Sequence, residues 1–361
     1  MAQAPRRRGG PRLPSAVTAF IVAFVLTYSL TPVVKRFALR VGAVAVPGDR
    51  SVHDRPTPHL GGLAIFLSLT LTVVLVGGWP DDRTLKILAC GLLALLLGAL
   101  DDLRDLRPGT KFLGQVLVAS LLSGLGVRIF FVTNPFTGGV LYLGDWSYLL
   151  SVLWIVAVMN VVNLADGLDG LAAGICTLAA LAATVVGLRT ADLGNVATLA
   201  ASVAGATAGF LPHNFNPAKI FMGDTGSMSL GFLLAAISVQ GALKQTTAVA
   251  LLVPIVALGL PITDTALSIV RRLRAGRSIG QADKGHLHHR LLELGLSQKK
   301  AVLLMWAVSG WLAVSAILLA EVPRGVGFAL VIILAALGLA AFVGLVTAGV
   351  PVSQGWKDLP K

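Results

Sequence analysis

Apolar runs of about helix-crossing length recur along this chain, separated by short polar stretches. A helix needs about 20 apolar residues to cross a hydrocarbon core, and lipid leaves its backbone no other way to satisfy its polar groups. The pattern predicts an all-α polytopic integral membrane protein with eleven helices, at 15–34, 60–79, 85–100, 111–131, 147–163, 170–188, 196–211, 227–241, 247–270, 300–320 and 325–348. The longest polar connections are 35–59 and 271–299. No repeat of the transporter kind is visible, and no stretch reads as a soluble domain. Residues 1–361 form one membrane-embedded domain, with a basic tail at 1–14 and a second tail at 349–361.

Composition agrees. Hydrophobic residues make up 55% and charged residues 13%, with mean hydropathy +0.83, where a soluble domain carries about a quarter charged residues. The net charge of +12 is read as loop charge that sets topology and touches anionic headgroups, and nucleic acid is excluded as a partner. The two cysteines, Cys90 and Cys176, lie in apolar runs, which argues against a disulfide framework. The N-terminal apolar run is too long for a signal peptide and lacks a small-residue cleavage site, so it is read as the first span.

Eleven spans put the termini on opposite sides. Loops 35–59, 101–110, 164–169, 212–226 and 271–299 then share one side, and they hold most of the loop Lys and Arg. The positive-inside rule makes that side cytoplasmic; Arg6, Arg7, Arg8 and Arg12 oppose it but are outnumbered. All six histidines fall on the same side, as do Asp101, Asp102, Asp105, Asp166, Asp169, Asp224 and Asp283.

Five stretches carry candidate chemistry. In ALDDLRDLRPGTKF, 99–112, the pair Asp101 and Asp102 ends a span with Asp105 one turn on; paired carboxylates suit a divalent cation or a proton acceptor, or a solvated helix end paired with Arg104 and Arg107. In NLADGLDG, 163–170, Asn163, Asp166 and Asp169 offer oxygen ligands for Mg²⁺ or a polar ligand, or form a turn with Asx caps. The spacing puts 163, 166 and 170 roughly on one helix face. In HNFNPAKIFMGDTGSMSLG, 213–231, Asp224 opens a helix whose first N–H groups suit phosphate. There Phe221 could stack on a base and Asn214 could hydrogen-bond it, although lipid or core packing explains Phe221 equally. HDRPTPHLGG, 53–62, places His53 and Arg55 beside a stiffened Pro56–Pro58 stretch. KGHLHHRLLELGLS, 284–297, gathers His286, His288 and His289, which suit phosphate contact or acid–base work as well as a transition metal. Asp264, within a span, either pairs with a loop cation or helps the site.

In order and spacing these five stretches resemble the polyprenyl-phosphate N-acetylhexosamine-1-phosphate transferases over roughly residues 30–300. Leu287 interrupts the histidine run, which is similar to the branch that uses UDP-GlcNAc and unlike the phospho-MurNAc-pentapeptide transferase branch. The resemblance implies transfer of GlcNAc-1-phosphate from UDP-GlcNAc to a polyprenyl phosphate (undecaprenyl or decaprenyl), with release of UMP, at the cytoplasmic face of the plasma membrane. It implies Mg²⁺, with Mn²⁺ as a substitute, held by Asp224 and Asn163. Asp101 and Asp102 would orient or deprotonate the lipid phosphate, and His286, His288 and His289 would contact phosphate or sugar. Arg55, Lys111, Asp166, Asp169, Asn214 and Phe221 would bind substrate. Direct attack and a covalent phospho-aspartate route both fit. The implied partners are UDP-GlcNAc, polyprenyl phosphate and membrane lipids, with a homodimer as the assembly considered. A secondary transporter is the competing reading, disfavoured because the carboxylates cluster at helix ends on one side.

Overall fold

The computed structural model describes residues 13–45, 56–134, 139–189, 193–242, 254–276, 285–322 and 325–348. Helices dominate, and each expected segment coincides wholly or partly with one. They are α1 (Leu13–Arg40), α2 (Gly61–Gly77), α3 (Asp82–Arg104), α4 (Pro108–Gly124), α5 (Trp146–Ala165), α6 (Leu171–Leu188), α7 (Gly194–Asn214), α8 (Gly223–Ala242), α9 (Gly259–Arg274), α10 (Leu287–Glu293), α11 (Gln298–Glu321) and α12 (Val326–Ala348). Seven of these, α1, α3, α5, α6, α7, α11 and α12, are long and apolar enough to cross a membrane. The chain is a multi-pass membrane protein.

Three details depart from the pattern-based expectation. The helix expected over 111–131 ends at Gly124. Beyond it Phe131–Thr133 (β3) pairs antiparallel with Val140–Tyr142 (β4), because β-branched and aromatic residues favour an extended, half-exposed ribbon. Val44–Ala45 (β1) pairs with Thr57–Pro58 (β2) in the first long connection. In the second, the short α10 carries two of the histidines. The start of the segment expected at 247–270 lies partly outside the described residues.

Helix α8 is the hub. From Thr225 to Gly241 every residue is buried, and the helix packs against α2, α3, α5, α6 and α7. An apolar helix without a polar stripe belongs in such a position. Its small residues let neighbours approach closely. A Cβ on Gly98 of α3 would stand 2.2 Å from the Asp224 carbonyl oxygen, and one on Gly62 of α2 would stand 2.2 Å from the Gly226 nitrogen. At the other extreme, α12 leaves Leu330, Ile333, Leu334 and Leu337 exposed. In a membrane that face meets lipid, where exposed leucine costs nothing.

Candidate active site

The polar loops converge on one end of the bundle. A cavity of about 850 Å³ is lined there by His59, Asp101, Asp102, Asp105, Asn163, Asp166, Asp169, Asn214, Phe221, Asp224, His288, His289 and Gln298, among others. These residues come from the C-terminal ends of α3, α5 and α7, the start of α8, and the segment around α10 and α11.

Beside the cavity, Lys111 in the first turn of α4 bridges two of its acids. Its Nζ lies 2.7 Å from Asp101 Oδ2 and also pairs with Asp224. It donates to Asn163 Oδ1 at 3.3 Å as well. Asn163 Nδ2 donates to Asp224 Oδ1 and, at 2.8 Å, to the Ser227 hydroxyl. Asp101 takes a further bond from the Leu106 N–H at 2.8 Å. Asp101 is buried and Asp224 partly so; a carboxylate withdrawn from water needs a partner, and Lys111 is the cation that both share.

Asp102 does different work. Its carboxylate accepts from the N–H groups of Asp224 (2.9 Å) and Thr225 (3.0 Å) and from the Thr225 hydroxyl (2.5 Å). The start of α8, expected to be open to a phosphate, is therefore capped by a protein carboxylate, which the positive end of a helix favours as strongly. The third acid of that motif, Asp105, is not on the helix face of Asp101. The chain turns left-handed at Asp105 (φ 49°) and α3 ends at Arg104, although Asp105 still lines the cavity.

The NLADGLDG stretch is likewise a helix end and a turn, not one helical face: α5 stops at Ala165, and the chain reverses through Gly170 (φ 81°). Asp166, in that turn, has its carboxyl pushed up to about 8, first by burial and then by the charges of Asp224, Asp102 and Asp169. Asp169 Oδ2 accepts from Asn216 Nδ2 and the Ala218 N–H, both at 3.0 Å. Asn214 does not hold its amide free for a base. Its Oδ1 accepts from the Gly170 N–H at 3.1 Å and its Nδ2 donates to the Ile220 carbonyl at 3.0 Å. It is 2% exposed, and it clamps the turn to the segment that carries Phe221.

That segment is strapped to the Pro58–Gly62 stretch. The Phe221 N–H donates to Pro58 O (2.8 Å), while the Gly61 and Gly62 N–H groups donate to the carbonyls of Phe221 and Met222, each at 3.0 Å. The first N–H groups of α2 thus find their acceptors here. The motif first read for its cations holds Phe221 on the cavity wall; Arg55 and His53 lie outside the described residues.

His288 and His289 reach the cavity, whereas His286 is buried behind them. The His288 imidazole is pushed down to about 3, chiefly by burial and then by His289, so it is neutral at any physiological pH.

Known proteins are similar to this chain in sequence. Residues 84–242 match the model of glycosyl transferase family 4. A probable undecaprenyl-phosphate N-acetylglucosaminyl 1-phosphate transferase of Bacillus subtilis (strain 168) is 40% identical over 308 residues, covering 85% of this chain and 86% of that protein. A decaprenyl-phosphate N-acetylglucosaminephosphotransferase of Mycolicibacterium smegmatis is 41% identical over 324 residues, 82% of this chain and 80% of that one. A phospho-N-acetylmuramoyl-pentapeptide-transferase of Moorella thermoacetica is 35% identical over 313 residues, 81% and 95% of the two chains.

The chain belongs to glycosyl transferase family 4.

For this family 4 transferase, the sequence reading brought together Asp101, Asp102, Lys111, Asn163, Asp166, Asp169, Asn214, Phe221, Asp224, His288 and His289, all at or beside one cavity. It passed over Gln298 and Asn216. Asn216 Nδ2 donates to Gln298 Oε1 at 2.5 Å, so the start of α11 is tied to Asp169 across the cavity rim. An amide at the first position of a helix carries no local signal of such a role, and only the arrival of α11 at the rim reveals it.

Proposed function

We propose that this protein transfers N-acetylglucosamine 1-phosphate from UDP-GlcNAc to a polyprenyl phosphate, giving polyprenyl-diphospho-N-acetylglucosamine and UMP. One observation carries the reading: a cavity at one end of a membrane bundle, lined by Asp101, Asp102, Asn163, Asp166 and Asp224, at whose edge Lys111 joins Asp101, Asp224 and Asn163. The names of the 40% and 41% identical relatives support N-acetylglucosamine over the muramoyl-pentapeptide in the name of the 35% identical one.

An oxygen of the lipid phosphate attacks the sugar-bound phosphorus, and the bond from that phosphorus to the bridging oxygen breaks as UMP departs. A phosphate monoester has a second pKa of about 6, so its attacking oxygen needs no strong base. What the site must supply is alignment and relief of repulsion between anions. Lys111 offers one positive charge beside the cavity. Asp102 fixes the start of α8 and so the position of Asp224, while Asp166, Asp169 and Phe221 would form the nucleotide side of the cavity. The neutral His288 offers hydrogen bonds, not charge.

The residues fit Mg²⁺. The donors are hard oxygens, and Asp166, raised first by burial, also stands among the negative charges of Asp224, Asp102 and Asp169. Among the described residues no three His, Cys, Asp or Glu side chains form a ready ligand set. That suits an ion that takes one or two protein oxygens and completes its shell with phosphate and water. Asp224 and Asn163 would hold it, and Mn²⁺ would substitute. When bound, the ion supplies charge neutralisation on the diphosphate and on the departing UMP.

The charge bias of the loops supports a cytoplasmic cavity in an eleven-span plasma-membrane protein. The test is UMP release by purified protein in detergent with polyprenyl phosphate and Mg²⁺. Release with UDP-GlcNAc and not with UDP-MurNAc-pentapeptide, lost with EDTA, is expected. Release only with the pentapeptide substrate would keep the chemistry and overturn the sugar; release with neither would overturn the proposal.

A further inference from the structure

Helix α9 presents a polar face that the transfer reaction as proposed does not use. Asp264, Ser268 and Arg272 are spaced one turn apart on it and all are buried, Asp264 to 5% exposure. A carboxylate in such a place is costly unless something it holds repays the desolvation. What it holds is the histidine segment. Asp264 Oδ1 accepts from the Leu287 N–H at 2.9 Å, and Oδ2 lies 3.0 Å from His286 Nδ1. A carboxylate accepts, so the Nδ1 of His286 carries the proton and donates it. About two turns further on, Arg271 crowds the same segment, where a Cβ on Gly285 would stand 2.7 Å from its Nε.

The clamp continues toward the cavity through ring contacts. The His286 ring lies parallel to His288, with centroids 5.5 Å apart and planes 7° from each other. His288 in turn packs on His289 at 4.4 Å. Only the last two line the cavity. On its far side His288 is bounded by the 166–170 turn: a Cβ on Gly167 would stand 2.6 Å from His288 Nε2. The imidazole is thus wedged between a glycine and a ring that is itself hydrogen-bonded, and its own Nδ1 is buried with no hydrogen-bond partner among the described residues. With that nitrogen holding nothing, the ring takes its orientation from what packs on it. Here that is His286, and the orientation of His286 is set by Asp264.

We infer that Asp264 is a positioning residue for the transfer reaction: it holds His286 and the start of α10 by two hydrogen bonds, and through the stacked His286 ring it fixes His288 against the cavity. His286 belongs to this support and does not touch substrate. The inference rests on the proposed transfer, which the wild-type protein tests separately.

The experiment follows UMP release for Asp264→Asn, His286→Ala, His286→Asn and the double variant Asp264→Asn/His286→Ala, all in detergent with UDP-GlcNAc. Asp264→Asn keeps an acceptor for the Leu287 N–H but loses the charge-assisted bond to His286. It should lower kcat by about tenfold to a hundredfold, the scale of a small misplacement or lost outer-shell partner, with KM for UDP-GlcNAc within about threefold. His286→Asn can still donate an amide N–H to Asp264 and should retain clearly more turnover than His286→Ala. The double variant should be no worse than the more damaged single one. Turnover of Asp264→Asn within twofold of wild type, equal loss in the two His286 variants, or additive losses in the double would each overturn the inference. If Asp264→Asn fails to fold, the two His286 variants still decide it. If the wild type releases no UMP, the transfer reading falls, and hydrogen exchange decides the clamp. Faster exchange confined to 285–293 in Asp264→Asn supports it, and unchanged exchange there overturns it.

Discussion

Replacing Asp102 with alanine would remove three acceptor contacts at once: those to the N–H groups of Asp224 and Thr225 and to the Thr225 hydroxyl. Thr225 is fully buried, so its N–H would be left without water. An orphaned buried donor costs about 1–3 kcal/mol. The Asp224 side chain is 28% exposed, so cavity water can reach its N–H and the loss there falls at the low end. Together the change should cost about 2–4 kcal/mol, more than the ~1 kcal/mol of an ordinary helix cap. The cost falls on the first turn of α8, the same turn that α3 and α2 grip at Gly98 and Gly62. Asp102→Asn keeps one acceptor and turns an N–H₂ toward the other donors, so about 1–2 kcal/mol is expected. In both variants Asp224 shifts relative to Lys111 and Asn163, and turnover should fall by about 10²-fold. Hydrogen exchange over 223–227, thermal melting in detergent and UMP release measure the three parts together. Loss of turnover with exchange and melting unchanged would refute the reasoning and make Asp102 a participant in proton transfer.

Asp224→Asn should abolish cation-dependent turnover while melting stays close to wild type; near-full activity would sink its assignment to Mg²⁺. Lys111→Met should leave Asp101 and Asp224 without the cation they share, and should both lower stability and abolish UMP release; unchanged melting would refute the pairing. Gly98→Ala forces a Cβ to 2.2 Å from the Asp224 carbonyl and should cost about 1–3 kcal/mol by overpacking, with loss of activity; wild-type melting would show that α3 and α8 have room to part. Asp166, whose carboxyl is raised to about 8, holds a proton in the folded state that the unfolded chain has released above about 4, so its contribution falls as pH rises toward 8. His288, lowered to about 3, has the opposite slope but only below about 6.5. Between pH 6.5 and 8 the metal-free protein should therefore melt at lower temperature as pH rises, and Asp166→Asn should flatten the trend; an unchanged slope in that variant would refute it.

Much of this was legible along the chain. The apolar runs located the helices because lipid leaves a spanning backbone no alternative. The clustering of His and Asp in one set of loops foretold that they would meet. Boundaries were less legible where chemistry, not hydropathy, ends the helix: at Asp105 the chain turns left-handed, and beyond Gly124 it gives way to a ribbon. Individual roles were the least legible. Asp101 and Asp102 are neighbours with identical side chains, yet one pairs with Lys111 and the other caps α8. Successive residues at a helix end point about 100° apart, so they meet different partners.

The sequence by itself determined the class of protein, the approximate helices, the single polar end and the family, because these depend on composition, run length and the order of short motifs. Only the tertiary structure decided which carboxylate faces which cation, that the start of α8 is closed by Asp102, that Asn214 and Asp169 are clamps, and that His286 stands behind His288 on Asp264. Most of those facts depend on contacts between residues far apart in the chain, up to 123 positions. Local pattern carries no information at that range; close packing of α2, α3 and α5 around a small-residue α8 supplies it.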